Sequence, residues 1–473
     1  MESLEVQKTN GATAPISGDA LRQLETGLKG RLVTPGGDGY EESRTIWNAM
    51  ISKRPALIVQ PDGVVDVCTA VKFAREHELL LAVRGGGHNI AGKALCEGGL
   101  QLDFSKMRAV KVDPSARTVV VGPGATLADL DAGTQAHGLA VPVGINSTTG
   151  VAGLTLGGGF GWISRTHGLT IDNLLSAQVV TADGEVLTAS ASENPDLFWA
   201  IRGGGGNFGI VTSFTFQAHP VGPEVLSGLI VYPFAQARDV IRQYRELCKT
   251  ATDATTVWMV ARKAPPLPFL PEEVHGTDVL VLAAMYCGDM ADGEKALAPF
   301  RAIGKPIADV IGPHPFAGWQ QAFDPLLTPG MRNYWKSHYF ETLDDGWIDA
   351  LEGAIATLPS PHTEIFVGQL GGRVRGESAE SSAFGDRAFN YVMNVHGRWE
   401  TAAEDVACVA WCRKFFEATE SYSTGGAYMN FLTEDEADRV HDVYGANEAR
   451  LSEIKKKYDP TNFFRANHNI KPS

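Results

Sequence analysis

The chain has 473 residues, enough for two or three domains around a large buried core. Hydrophobic residues make up 44% and charged residues 20%, a balance that excludes disordered and membrane-embedded classes. A net charge of −14 argues against a nucleic-acid partner, since a phosphate backbone needs a basic face.

The N-terminal run from Met1 to Pro15 has no apolar stretch of the secretory kind, and no run of about 18 apolar residues follows. A cytoplasmic protein is expected. Ala56–Gln60 is a short apolar strand ended by Pro61, and Val64, Val67, Cys68, Val71 and Ala74 recur at helical spacing. Leu79–Val83 is a second strand that runs into Arg84-Gly85-Gly86-Gly87-His88. Leu100–Phe104, Val110–Val112 and Thr118–Val121 are strand-like runs. Leu127–His137 reads as a helix closed by Gly138, and Ser192 is placed to cap a helix through Asp196–Ile201. From about Pro220 the texture changes: prolines cluster at 265–271 and aromatic residues become frequent. The segment 221–424 is read as a second domain of antiparallel strands and helices, and 425–473 as a return to the first domain, 1–220.

Six cysteines are scattered without a CxxC pair, so buried thiols are expected, with Cys408 and Cys412 on one helix face. The histidines form no HExxH-like arrangement, and no metal is expected.

Glycine, at 52 residues, exceeds its usual share of about 7%. The excess sits in Val83–Gly92, Val143–Gly161 and Ile201–Val211. Successive glycines remove the Cβ atoms that keep other groups off the backbone, so their N–H groups can converge on an anion. Three such loops imply a long ligand with a pyrophosphate. Gly204-x-Gly206-x-x-Gly209 matches GxGxxG, but a helical segment precedes it and the strand-like Ile210–Phe216 follows. That order is the reverse of a nicotinamide fingerprint.

Four segments, Arg84–His88, Gly150–Gly161, Asn194–Gly203 and Tyr458–Asn469, occur in an order that resembles the FAD-linked oxidases related to berberine bridge enzyme and vanillyl-alcohol oxidase. The resemblance runs from about Arg44 to the C-terminus. It implies an α+β fold: a two-lobed FAD-binding domain and a substrate domain on an antiparallel sheet flanked by helices, with the flavin ring at their junction. It implies FAD contacts from Arg84, Gly85, Gly86, Gly87, His88, Asn89 and Ala91 in the first loop. The second loop would contribute Gly144, Asn146, Thr148, Thr149, Gly150, Gly153, Leu156, Gly157, Gly158, Gly159, Gly161 and Trp162. Gly209, Ile210 and Val211 would wrap the rest, with Tyr428, Asn430, Asn467 and Asn469 closing over it.

In this family the histidine of the RGGGH motif bonds to the flavin 8α-methyl, a role that falls on His88. Many relatives add a second bond from a cysteine in a Gly-x-Cys stretch. Here the stretch is Gly144-Ile145-Asn146, and asparagine has no thiolate, so a single attachment is expected. Tyr428-Met-Asn430 fits a Tyr-x-Asn motif whose tyrosine lies near the substrate. As a base it needs a cation or strong hydrogen bonds, with Lys336 or Arg332 as candidates. Gln369 is expected to point at the ring. Thr149 takes the place of a residue that borders the oxygen site in relatives, where a bulky leucine goes with poor oxygen use. The resemblance implies an oxidase that takes hydride from an alcohol, amine or activated C–H of a small, apolar or aromatic substrate and passes the electrons to O2. The alternatives are a dehydrogenase with a non-oxygen acceptor and a flavin-carrying binding protein without turnover. A monomer or homodimer is expected.

Overall fold

The structure, a computed structural model, describes residues 2–385 and 387–473. The first sheet has four strands in the order Arg31–Val33, Leu57–Gln60, Leu100–Asp103, Leu81–Arg84. Leu57–Gln60 and Leu81–Arg84 both run parallel to Leu100–Asp103; helix Val64–Glu76 joins the first two, and the first glycine loop leads from the second to the third. The apolar runs of these strands are largely buried in one core with helices Gly18–Gly27 and Val64–Glu76, while Val83 is left exposed toward the cleft.

The second sheet is antiparallel, with five strands ordered Val186–Ser190, Leu174–Val180, Ile210–Gln217, Thr118–Val121, Val110–Asp113. Its core takes in helix Leu127–Gln135, which stops two residues before the expected end at His137, and helix Pro195–Ile201. Ser192 does not cap the latter. Asn194 stands at the cap in a left-handed conformation, and the Ser192 N–H donates to Ser190 Oγ instead.

An eight-stranded antiparallel sheet fills most of 221–424. Its central order is Glu224–Pro233, Asp278–Tyr286, Thr255–Lys263, Glu364–Gln369, Tyr391–Trp399, Arg332–Phe340. Helices Ala237–Thr250, Met290–Arg301, Asp345–Ile355 and Asp405–Thr419 contribute to the apolar core on one of its faces. Cys408 and Cys412 are buried there as free thiols. The other face turns toward the glycine loops. An aromatic cluster joins the two, with Trp162 stacked on Trp258 at 4.0 Å between ring centroids. Among the described residues no helix is long and apolar enough to cross a membrane.

Candidate active site

Strand Leu81–Arg84 delivers the first glycine loop to the junction of the sheets. The Arg84 guanidinium turns back to the buried Asp103 carboxylate at 3.0 Å, so it anchors the loop and does not line the cleft. Gly86 lies against Gly150: a Cβ on Gly86 would stand 2.3 Å from the Gly150 nitrogen, so only bare backbone lets the first two loops cross. Between the loops and the large sheet lies a cavity of about 360 Å³.

His88 forms part of its wall. The ring stacks on Trp47 with centroids 5.2 Å apart, and its Nε2 and Nδ1 lie 2.8 and 3.3 Å from the hydroxyls of Thr148 and Thr149. The Thr148 hydroxyl donates to Asn146 Oδ1 at 2.7 Å. Its oxygen is therefore left to accept the His88 Nε2–H, which puts the lone pair on Nδ1, where the Thr149 hydroxyl can donate to it. Burial, with Arg398 and then Arg84 nearby, pushes the His88 pKa down to about 3, so the ring is neutral.

Of the expected contacts, Gly85, Gly86, Gly87, Asn89, Gly144, Asn146, Thr149, Gly150, Gly153, Leu156 and Gly157 line the cavity. Gly209, Ile210, Val211, Tyr428, Asn430 and Asn467 do so as well. Ala91, Gly158, Gly159, Gly161, Trp162 and Asn469 lie behind it, and Thr148 reaches it only through His88. The Trp162 indole is spent on the stack with Trp258.

Two expectations fail on strand alternation. In Arg332–Phe340 it is Trp335 that faces the cavity, and Lys336 on the opposite face pairs with Glu436 at 3.2 Å and Asp435 at 3.6 Å. In Glu364–Gln369 the cavity side carries Glu364 and Phe366. Gln369 points the other way, its side-chain oxygen accepting from the Val257 N–H. Arg332 is held by Asp405 at 2.6 Å.

The Tyr428 hydroxyl accepts from the Gly159 N–H at 3.1 Å and from Asn430 Nδ2 at 3.0 Å. Burial outweighs these two bonds and raises its pKa to about 12. Sequence reading missed Trp47, Phe160, Trp258, Trp335, Glu364, Phe366, Asn394, His396, Phe431 and His468, all of which line the cavity. One signal was available for some of them: Asn394 and His396 recur with Arg398 at period two within a largely apolar strand.

The residues present fit FAD. Gly153 and Gly206 line the cavity where an added Cβ would meet nothing, so their backbones are open to a ligand. Asn467 Oδ1 and His468 Nε2, both buried, have no partner, as expected of groups that await a polar ligand. Residues 55–190 match the FAD binding domain family, and residues 427–471 match the berberine and berberine-like family. An FAD-linked oxidoreductase of Dictyostelium discoideum is 33% identical over 94% of this chain and 95% of its own. The (R)-6-hydroxynicotine oxidase of Paenarthrobacter nicotinovorans is 27% identical over 94% of this chain and 97% of its own. Among solved structures, a single-residue variant of the berberine-bridge-enzyme-like 1 protein of Physcomitrella patens superposes with a TM-score of 0.84. It is 26% identical, over 94% of this chain and 97% of its own.

Fold and cleft together define an FAD-dependent oxidoreductase. The chain belongs to the berberine-bridge-enzyme-like family of FAD-linked oxidoreductases.

Proposed function

We propose that this protein is an oxidase that holds FAD through one covalent bond, to His88, and acts on a small, largely apolar or aromatic molecule. The observation that carries the reading is the His88 environment: a neutral ring whose Nε2–H is held by Thr148, so that the Nδ1 lone pair meets only the Thr149 hydroxyl at 3.3 Å. Asn146, which stands where relatives carry a second linking cysteine, is occupied with Thr148 and with the Leu327 carbonyl at 3.1 Å. FAD, when bound, supplies the acceptor for a substrate hydride. In this reading the substrate proton goes to Tyr428, whose oxygen is steadied by Gly159 and Asn430, and oxygen takes the electrons as hydrogen peroxide. The aromatic lining from Phe160, Trp258, Trp335, Phe366 and Phe431 supports an apolar or aromatic substrate. The division into 1–220, 221–424 and 425–473 as FAD domain, substrate domain and returning segment belongs to the same proposal.

Acid-precipitated protein should remain yellow, with the flavin mass on the peptide that contains His88. The His88→Ala variant should bind FAD while folded and lose it on precipitation. Colourless wild-type precipitate, with free FAD in the supernatant, would refute the single bond.

A further inference from the structure

Four side chains form a row across four neighbouring strands of the large sheet, on the face that borders the cavity. Arg262 is paired in register with Glu364, Glu364 with His396, and His396 with Trp335. Arg262 Nη1 donates to Glu364 Oε2 at 2.6 Å, and His396 Nδ1 lies 3.0 Å from Glu364 Oε1. The Trp335 ring meets the His396 ring edge-on, centroids 4.7 Å apart.

Burial opposes ionisation of Glu364, but Arg262 and then His396 outweigh it and bring its pKa to about 2. An ionised carboxylate only accepts, so His396 Nδ1 carries the ring proton and Nε2 is the acceptor. His396 is 6% exposed, and its Nε2 has no partner. Neither does Trp335 Nε1, a donor in the same wall. Buried polar atoms of this kind are costly unless a ligand completes them. Around them the wall is apolar, with Phe366, Phe431 and Trp47. Arg262 and Glu364 cancel in charge, so the row suits a neutral ligand.

We propose that His396, oriented by Glu364, is the polar anchor of the substrate cavity and selects an aromatic ligand that carries a hydroxyl group. The hydroxyl oxygen accepts from Trp335 Nε1, and its hydrogen is donated to His396 Nε2. This rests on the cavity being the flavin and substrate cleft.

Phenol and anisole serve as probes, since methylation removes the donor and keeps the ring and the oxygen. Binding is read from the flavin absorbance of the holoenzyme. Phenol should bind roughly tenfold more tightly than anisole, the worth of a buried hydrogen bond made or missed. In Glu364→Gln, Arg262, which can only donate, claims the amide oxygen. The amide NH2 then faces His396 Nδ1 and moves the ring proton to Nε2. Preference for phenol should vanish or reverse in that variant, which a merely structural role of Glu364 would not produce. His396→Phe keeps a ring against Trp335 and should also lose the preference, which provides a second route should Glu364→Gln fail to fold.

Nitrogen-15 spectra of histidine-labelled protein, which need no flavin, should show an Nδ1–H tautomer for His396 in wild type and Nε2–H in Glu364→Gln. Equal binding of phenol and anisole to yellow wild-type protein would overturn the anchor and leave the flavin reading standing. An Nε2–H tautomer in wild type would overturn it whatever the flavin content.

Discussion

Tyr428 was expected to rely on a lysine or arginine, and the structure supplies two neutral donors in their place. Among the described residues no cation is paired with its hydroxyl, and burial drives its pKa up to about 12. A base so placed works from a small ionised fraction that grows tenfold per pH unit below the pKa. Flavin reduction should therefore accelerate with rising pH across the neutral and mildly alkaline range. The Tyr428→Phe variant should be slower by roughly 10²–10⁴-fold and lose that slope, with flavin content unchanged. Stopped-flow reduction at several pH values checks both, and a rate within a few-fold of wild type would move the role elsewhere. Thr149 raises the parallel question for oxygen. Its hydroxyl lies 3.3 Å from His88 Nδ1 and is thereby partnered, so the side chain lines the cavity with little more than its methyl group. If that space admits oxygen, Thr149→Leu should slow reoxidation of the reduced enzyme by about an order of magnitude, the steric cost of closing a small passage to a larger side chain. Slow wild-type reoxidation with no further loss on substitution would favour a non-oxygen acceptor.

Helix Glu448–Tyr458 holds the C-terminal segment against the third glycine loop. Its Lys455 ammonium is fully buried and touches three oxygens: Asp459 Oδ2 at 2.7 Å and the carbonyls of Asn207 and Phe464 at 2.7 and 2.9 Å. The Asp459 carboxylate in turn accepts from the Phe463 and Phe464 N–H groups. One ion pair thus ties together the loop at 203–209, the helix and the tail that carries Asn467 and His468. Lys455→Ala leaves a buried carboxylate without its cation and should cost about 3–5 kcal/mol of stability, with weaker FAD retention in the His88→Ala background. Denaturant titration measures the first, and flavin release on dilution the second. A loss below about 1 kcal/mol would show that water replaces the ammonium. The glycine loops obey a steric argument of the same scale: Gly161 lies so close to the Val143 carbonyl that a Cβ would overlap it.

Across the whole molecule, the three glycine loops, the histidine at the end of the first and the asparagine at position 146 were legible in the amino-acid order. Each is set by local chemistry: backbone that must approach a ligand, an imidazole on a strand-end loop, a side chain without a thiolate. Six strands of the first 220 residues also followed from the sequence, since apolar runs between turn residues define them. Which face of each strand meets the cavity was not legible for the large sheet. Alternation says only that Trp335 and Lys336 face opposite ways, as do Gln369 and its neighbours, and a sheet with buried side chains on both faces gives no polar contrast to choose between them. The choice fell to tertiary packing, which put the helices on one side and turned Lys336 and Gln369 toward that side. Register between distant strands was equally out of reach. Arg262, Glu364, His396 and Trp335, spread over 135 positions, become neighbours only because four strands align at one level. The sequence by itself determined the cofactor and the glycine loops that line its cavity. What the cavity asks of a substrate was decided only when the sheet closed over those loops.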